Sequence, residues 1–143
     1  MTPIWYHLFA MKILNREVDY AVRALVMMTR ANKPNLSVSQ MEEETGVSRP
    51  FLRKILQKLH RAGILRALKG KGGGFSPAKA PENIRLSDLA EALQGRMQVN
   101  DCMAGGKLCK HHPDCLLRHR MGDLERHLTA ELDSISVKDL AGV

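Results

Sequence analysis

The chain has 143 residues, with 22 Lys and Arg against 15 Asp and Glu, a formal net charge of +7, and only three Phe, two Tyr and one Trp. A chain of this length buries about two thirds of its unfolded surface, so an ordinary hydrophobic core is within reach and disulfide or metal staples are unnecessary. With 44% hydrophobic residues it is not disordered, and no apolar run approaches the ~20 residues of a bilayer span. One domain, or one domain with an appendage, is expected.

Residues 1–10 are apolar but lack a charged segment before them and a small-residue cleavage site after them, so they read as an extension or a misassigned start and not as a signal peptide. Met11-Lys12 opens a segment that makes sense on its own. Asn15 is placed to cap a helix whose apolar positions Val18, Ala21, Val22, Leu25 and Met28 keep the 3.6 period, and Asn32-Lys33-Pro34-Asn35 ends it. Ser37-Val38-Ser39-Gln40 has the form of a capping box and predicts a short helix to about Thr45, closed by Gly46. Ser48 is expected to cap the next helix, with Pro50 in its first turn and Leu52, Ile55, Leu56 and Leu59 as its buried stripe. Two helices joined by a tight glycine turn make a helix-turn-helix.

The solvent side of that second helix is left with Arg49, Phe51, Arg53, Lys54, Lys58 and Arg61. After Gly63, residues 64–69 alternate like a strand, Gly70-Lys71-Gly72-Gly73-Gly74 is a turn, and Phe75 starts a return strand. This hairpin completes a winged helix, with Lys69 and Lys71 supplying charge at its tip. A nucleotide-binding glycine loop is disfavoured, because no G-K-[ST] follows and no helix begins there. Charge follows the same division. Residues 11–80 hold 14 Lys and Arg against 5 Asp and Glu, a net of +9, whereas residues 81–143 hold 8 against 10, a net of −2. From Arg49 to Lys79 there are nine basic residues and no acid. Such a face either solvates the chain or neutralises phosphates and releases their counterions.

A short helix is expected around residues 87–94, ending at Gly95. All three cysteines follow: Cys102, Cys109 and Cys115, with gaps of six and five residues. Thiolate sulfur is the preferred ligand of iron-sulfur clusters, and three cysteines supply three of the four ligands. Zinc in a Cys3His site is an alternative, although its usual knuckles are tighter; a thiol-redox pair and plain structural cysteines are others. His111, His112 and His119 are candidate fourth ligands, His119 lying about one turn beyond Cys115. A long helix over about residues 114–133 carries Leu117, Met121, Leu124, Leu128, Leu132 and then Ile135, a narrow seam suited to a second copy of itself or to intrachain packing.

Residues 11–143 taken together resemble the IscR/NsrR family of dimeric winged-helix transcription regulators. The resemblance rests on Met11-Lys12-Ile13-Leu14, Asp19-Tyr20-Ala21-Val22-Arg23-Ala24-Leu25, Gly46-Val47-Ser48, Leu59-His60-Arg61-Ala62-Gly63-Ile64, Lys69-Gly70-Lys71-Gly72-Gly73-Gly74-Phe75, the cysteine loop and Ile135-Ser136-Val137-Lys138-Asp139-Leu140. It implies a cytoplasmic homodimer on a pseudo-palindromic double-stranded DNA operator, with a 2Fe-2S or 4Fe-4S cluster switching affinity in response to nitric oxide, iron or redox state. Ser48, Pro50, Phe51, Arg53 and Lys54 would face the major groove and Lys69 the wing contact. Asp19 matches the position from which the partner subunit completes the cluster in NsrR-like proteins; some relatives instead use a histidine three residues after the third cysteine, where this chain has Arg118. The family's gaps are usually five and five.

The expected architecture is mainly α with a small β-wing: a winged helix-turn-helix over residues 11–95, a cluster-binding loop over 96–115, and a dimerisation helix with tail over 116–143. An enzyme using a cysteine nucleophile with His111 or His119 as base is not expected, since neither a pocket nor an orienting group is implied. A clusterless regulator that answers to zinc, thiol oxidation or a partner protein is the alternative function.

Overall fold

The computed structural model describes residues 11–31, 33–100 and 114–143, and among these it holds six α-helices and one two-stranded sheet. Helix α1, Arg16–Arg30, begins where the sequence places it: the Asn15 side chain accepts a hydrogen bond from the Val18 amide, and Glu17 and Asp19 occupy the first turn. Its Val18, Ala21, Ala24, Leu25 and Met28 are buried. Helix α2, Val38–Thr45, carries the complete Ser37/Gln40 capping box and stops at Gly46, whose φ of 71° is the left-handed conformation that a side chain resists.

Helix α3, Arg49–Arg61, has Ser48 at its N-cap position, but the serine side chain makes no capping hydrogen bond, contrary to expectation. Pro50 removes one of the two helical amides from which a capping hydroxyl can accept, and the other, that of Phe51, is not engaged by Ser48. The Arg49 amide instead approaches Glu42 Oε1 at 3.4 Å. Leu52, Ile55, Leu56 and Leu59 are fully buried, as their spacing requires, each burial being worth about 1.5–3 kcal/mol.

Strands β1, Leu65–Leu68, and β2, Gly74–Pro77, pair antiparallel with Leu65 opposite Pro77 and Leu68 opposite Gly74. A third segment joins them that periodicity did not announce. Leu36 and Phe75 exchange backbone hydrogen bonds of 2.9 and 2.8 Å, so the approach to α2 lies against the return strand of the wing. A 3-10 turn, Pro81–Asn83, leads into α4, Leu86–Gln94, which starts one residue before the expected span.

Helix α5, Leu116–Ser134, begins two residues later than expected. Its two ends differ. Leu132 and Ile135 pack on the core, and the Leu86 amide donates to the Ile135 carbonyl at 2.8 Å while the Val137 amide donates to Ile84 at 2.9 Å. Toward the other end Leu116, Leu117 and Leu124 are 70%, 63% and 44% exposed. Among the described residues, Met121 and Leu128 of the apolar seam are half-buried, while Leu117 and Leu124 are left uncovered. The chain then folds back: α6, Val137–Ala141, buries Val137 and Ala141, and Arg30 Nε reaches the Ala141 carbonyl at 2.9 Å.

The start of α6 is held by Asp139, whose Oδ2 accepts from the Ser136 amide at 2.9 Å and from its hydroxyl at 2.7 Å. The Ser136 backbone and side-chain donors hold this carboxyl below the ordinary value of 3.8. A depressed carboxyl contributes stability that is present above its unfolded value and lost as pH falls through the folded one. Asp139→Asn is therefore expected to lower the melting temperature at pH 7, with the gap to the parent protein closing below about pH 3.8; thermal unfolding at pH 7 and pH 3 measures it. An equal gap at both values would contradict this role.

Candidate functional site

The amphipathic α3 sets the first part of the site, since burying four aliphatic side chains on one stripe turns its remaining positions outward. Arg49, Pro50, Arg53, Lys54 and Arg61 are exposed, as is Ser48. Arg53 has no partner among the described residues, whereas Arg49 pairs with Glu42. Two positions read from sequence as outward are half-buried. Phe51 meets Tyr20 of α1 edge-on, with ring centroids 5.6 Å apart at 86°, and Lys58 is 32% exposed with its Nζ 2.8 Å from Glu17 Oε2. Glu17 also lies 4.0 Å from Lys54 Nζ. This acid, 41 residues from Lys58, clamps the basic helix to α1, and no local pattern marked it out.

The wing supplies the second part. Lys69 and Lys71 are exposed at its tip and have no partner among the described residues. The Asn35 side-chain amide donates to the Gly72 carbonyl at 2.7 Å, which ties the tip to the segment preceding α2. Sequence reasoning placed Asn35 only as part of a helix terminator. Arg53, Lys54, Lys69 and Lys71 thus stand as exposed cations on a rigid helix and on a tethered hairpin, an arrangement suited to phosphates and base edges.

The candidate metal ligands are only partly within the described residues. Cys102, Cys109, His111 and His112 lie outside them. Cys115 is the N-cap residue of α5, half-buried and in no disulfide, and the His119 amide donates to its carbonyl at 3.2 Å, so His119 is one turn further along the same helix. Asp19 is exposed on α1 and pairs with Arg23 at 3.1 Å, and the Arg23 guanidinium lies 5.8 Å from the Tyr20 ring centroid. No set of three His, Cys, Asp or Glu side chains able to hold a metal converges among the described residues. No described helix is long and apolar enough to cross a membrane.

Comparison with known proteins adds two findings. A family model described as Rrf2, an iron-dependent transcriptional regulator, matches residues 14–142. Among solved structures, the chain is similar to CymR (YrzC), the global cysteine regulator of B. subtilis, with a TM-score of 0.76 and 19% identity over 92% of this chain and 98% of that one. IscR of T. potens gives a TM-score of 0.70 and 20% identity over 93% and 88% of the two chains, and Staphylococcus aureus CymR gives 0.69 and 18% over 90% and 98%. At these identities the likeness establishes the shared fold, a mainly helical winged helix with a small antiparallel sheet.

Proposed function

The chain belongs to the Rrf2 family of DNA-binding transcription regulators, which are not enzymes, and from that premise we propose that it is a homodimeric repressor of a pseudo-palindromic operator, switched by an iron-sulfur cluster. In this reading residues 11–95 bind DNA, residues 96–115 hold the cluster and residues 116–143 pair two copies. The observation that carries the DNA half is the acid-free run from Arg49 to Lys79, folded so that Arg53, Lys54, Lys69 and Lys71 all stand exposed. Ser48, Arg49, Pro50 and Phe51 lie at the N-terminal turn of α3, the end that meets base edges in helix-turn-helix complexes. Lys58, engaged by Glu17, contributes by holding the helix in place.

Exposed Leu116, Leu117 and Leu124 on a 19-residue helix supply the dimer face, along an axis of about 28 Å. Two copies related by a two-fold would present two recognition helices to half-sites one DNA turn apart.

The donor chemistry fits a cluster. Cys102, Cys109 and Cys115 are three soft sulfur ligands, and the fourth is Asp19 of the partner subunit or His119, one turn from Cys115. Such a cluster supplies a reactive, removable centre whose loss signals nitric oxide, oxidation or iron shortage. A carboxylate or imidazole at the fourth place leaves the iron more open to substitution than a fourth thiolate. On the side of this chain, Asp19 already touches Arg23, Arg23 covers Tyr20, and Tyr20 abuts Phe51 at the start of α3. Recruiting Asp19 as a ligand would take away the Arg23 counter-ion at the head of that series of contacts.

The test has two arms. Duplexes selected from a random library should bind with affinity falling steeply in salt, and Arg53→Ala and Lys69→Ala should each cost about 1–3 kcal/mol, with sequence preference shifting more for Arg53. Salt-insensitive binding, or none, would refute the DNA reading. Protein purified without oxygen should be coloured and contain iron and acid-labile sulfide in stoichiometric amounts. A colourless protein carrying one zinc per chain would refute the cluster and favour the zinc-bound regulator.

A further inference from the structure

A cleft of about 620 Å³ lies between α4 and α5, with Arg96 and Arg126 on its lining. Ala90, Met97, Ala130 and Leu132 give it apolar walls, and Glu91 and Glu125 are two of its charged groups. Its size falls within the roughly 300–1,000 Å³ of small-molecule sites. Glu125 is the unusual member. It is only 9% exposed, and its Oε2 is buried with no hydrogen-bond partner. A desolvated carboxylate oxygen without a donor is strongly unfavourable and is satisfied in folded proteins by a cation, a hydrogen-bond donor or a ligand.

Of the neighbouring charges, Arg96 and Glu91 are exposed on the lining and Arg96 does not bond Glu125 Oε2, while two others are committed elsewhere. Arg126 pairs with Asp123, and Asp133 Oδ1 accepts the Ser87 hydroxyl at 2.8 Å. Arg118, whose Nε is likewise buried and unpaired, lies seven residues and about 10 Å along the helix and does not bond to Glu125. A metal ion would need further carboxylates converging on the same point, and no such group of three occurs among the described residues. What remains is a single buried acceptor at the wall of a partly apolar cleft.

We propose that the cleft between α4 and α5 binds a small organic cation, an ammonium or guanidinium compound with a short apolar body, whose charged head is held by Glu125. The ligand donates to Oε2 and lays its carbon chain on Ala90, Ala130 and Leu132. Because α4 packs on α1 and α3 while α5 carries the exposed leucine face, occupancy changes how the long helix sits against the DNA-reading half. Its test requires neither cluster nor DNA.

The experiment titrates n-butylammonium chloride into the full-length protein, with n-butanol, sodium butyrate and sodium chloride as controls, and follows backbone amide shifts by NMR. Saturable shifts at Glu91, Thr129 and Ala130 with n-butylammonium alone are expected. Glu125→Gln, close to isosteric, should weaken that binding at least about tenfold, as expected for a hydrogen bond to a charged group. Ala130→Phe, which fills the cleft, should abolish the shifts. An equal response to n-butanol, unchanged binding in Glu125→Gln, or no saturable shift at these amides would each overturn the proposal.

Discussion

Gly74→Ala is expected to lower the unfolding free energy by about 2–4 kcal/mol and to weaken DNA binding with it, because it forces the wing away from the domain. A Cβ built at this position stands 2.1 Å from the Leu36 carbonyl oxygen, 2.5 Å from its carbon and 2.9 Å from the Ser37 nitrogen. All three are backbone atoms, so no rotamer change relieves the overlap. The φ of 154° adds a conformation that side chains avoid. Relief requires β2 to withdraw from Leu36, giving up the two hydrogen bonds of the Leu36–Phe75 bridge. Gly72→Ala is the matched control. It shares a positive φ of 77° but has nothing within 4 Å of its Cβ, so it should cost only about 1 kcal/mol. Urea midpoints for the two variants decide the matter, and equal losses would show that close approach is not the cause.

Leu56→Ala should cost about 2–5 kcal/mol, since it deletes most of a fully buried side chain from the stripe that seats α3. That is a large share of the 5–15 kcal/mol by which most domains are stable. The change does not alter the outward cations. Affinity for a selected duplex should therefore remain near that of the parent protein at low temperature and be lost at a lower temperature, alongside the circular dichroism signal. Denaturation with an unchanged slope and a shifted midpoint would confirm a pure stability effect. Loss of DNA binding in a variant that stays fully folded would show that the stripe does more than hold the helix.

The helices were readable for local reasons. Asn15 and the Ser37/Gln40 box satisfy amide groups within three residues of themselves, and the 3.6 period of Leu52, Ile55, Leu56 and Leu59 states which face is buried before any partner is known. The wing was readable because a glycine-rich stretch from Gly70 interrupts the strand pattern, although the return strand starts at Gly74, one residue before the expected Phe75. Ser48 shows where such reading stops. Its position is that of a cap, but the proline two residues on leaves it only the Phe51 amide, which it does not engage. Of the candidate site, the exposed cations Arg53, Lys54, Lys69 and Lys71 were legible as the residues left over once the apolar face was assigned. The restraint on Lys58 was not, since Glu17 is 41 residues away.

What the amino-acid order determined by itself is therefore everything that depends on neighbours within a turn or two: caps, the buried faces, the glycine turn, the basic excess between Arg49 and Lys79, and the spacing of three cysteines. Only the tertiary structure decided that Leu36 lines the wing, that Asn35 anchors its tip, that α6 returns to α1, and that Glu125 stands buried and unpaired. Each of these joins residues far apart in sequence, or leaves a group without the partner it needs. Periodicity carries no information about such contacts, because they exist only once packing has brought distant segments to one place.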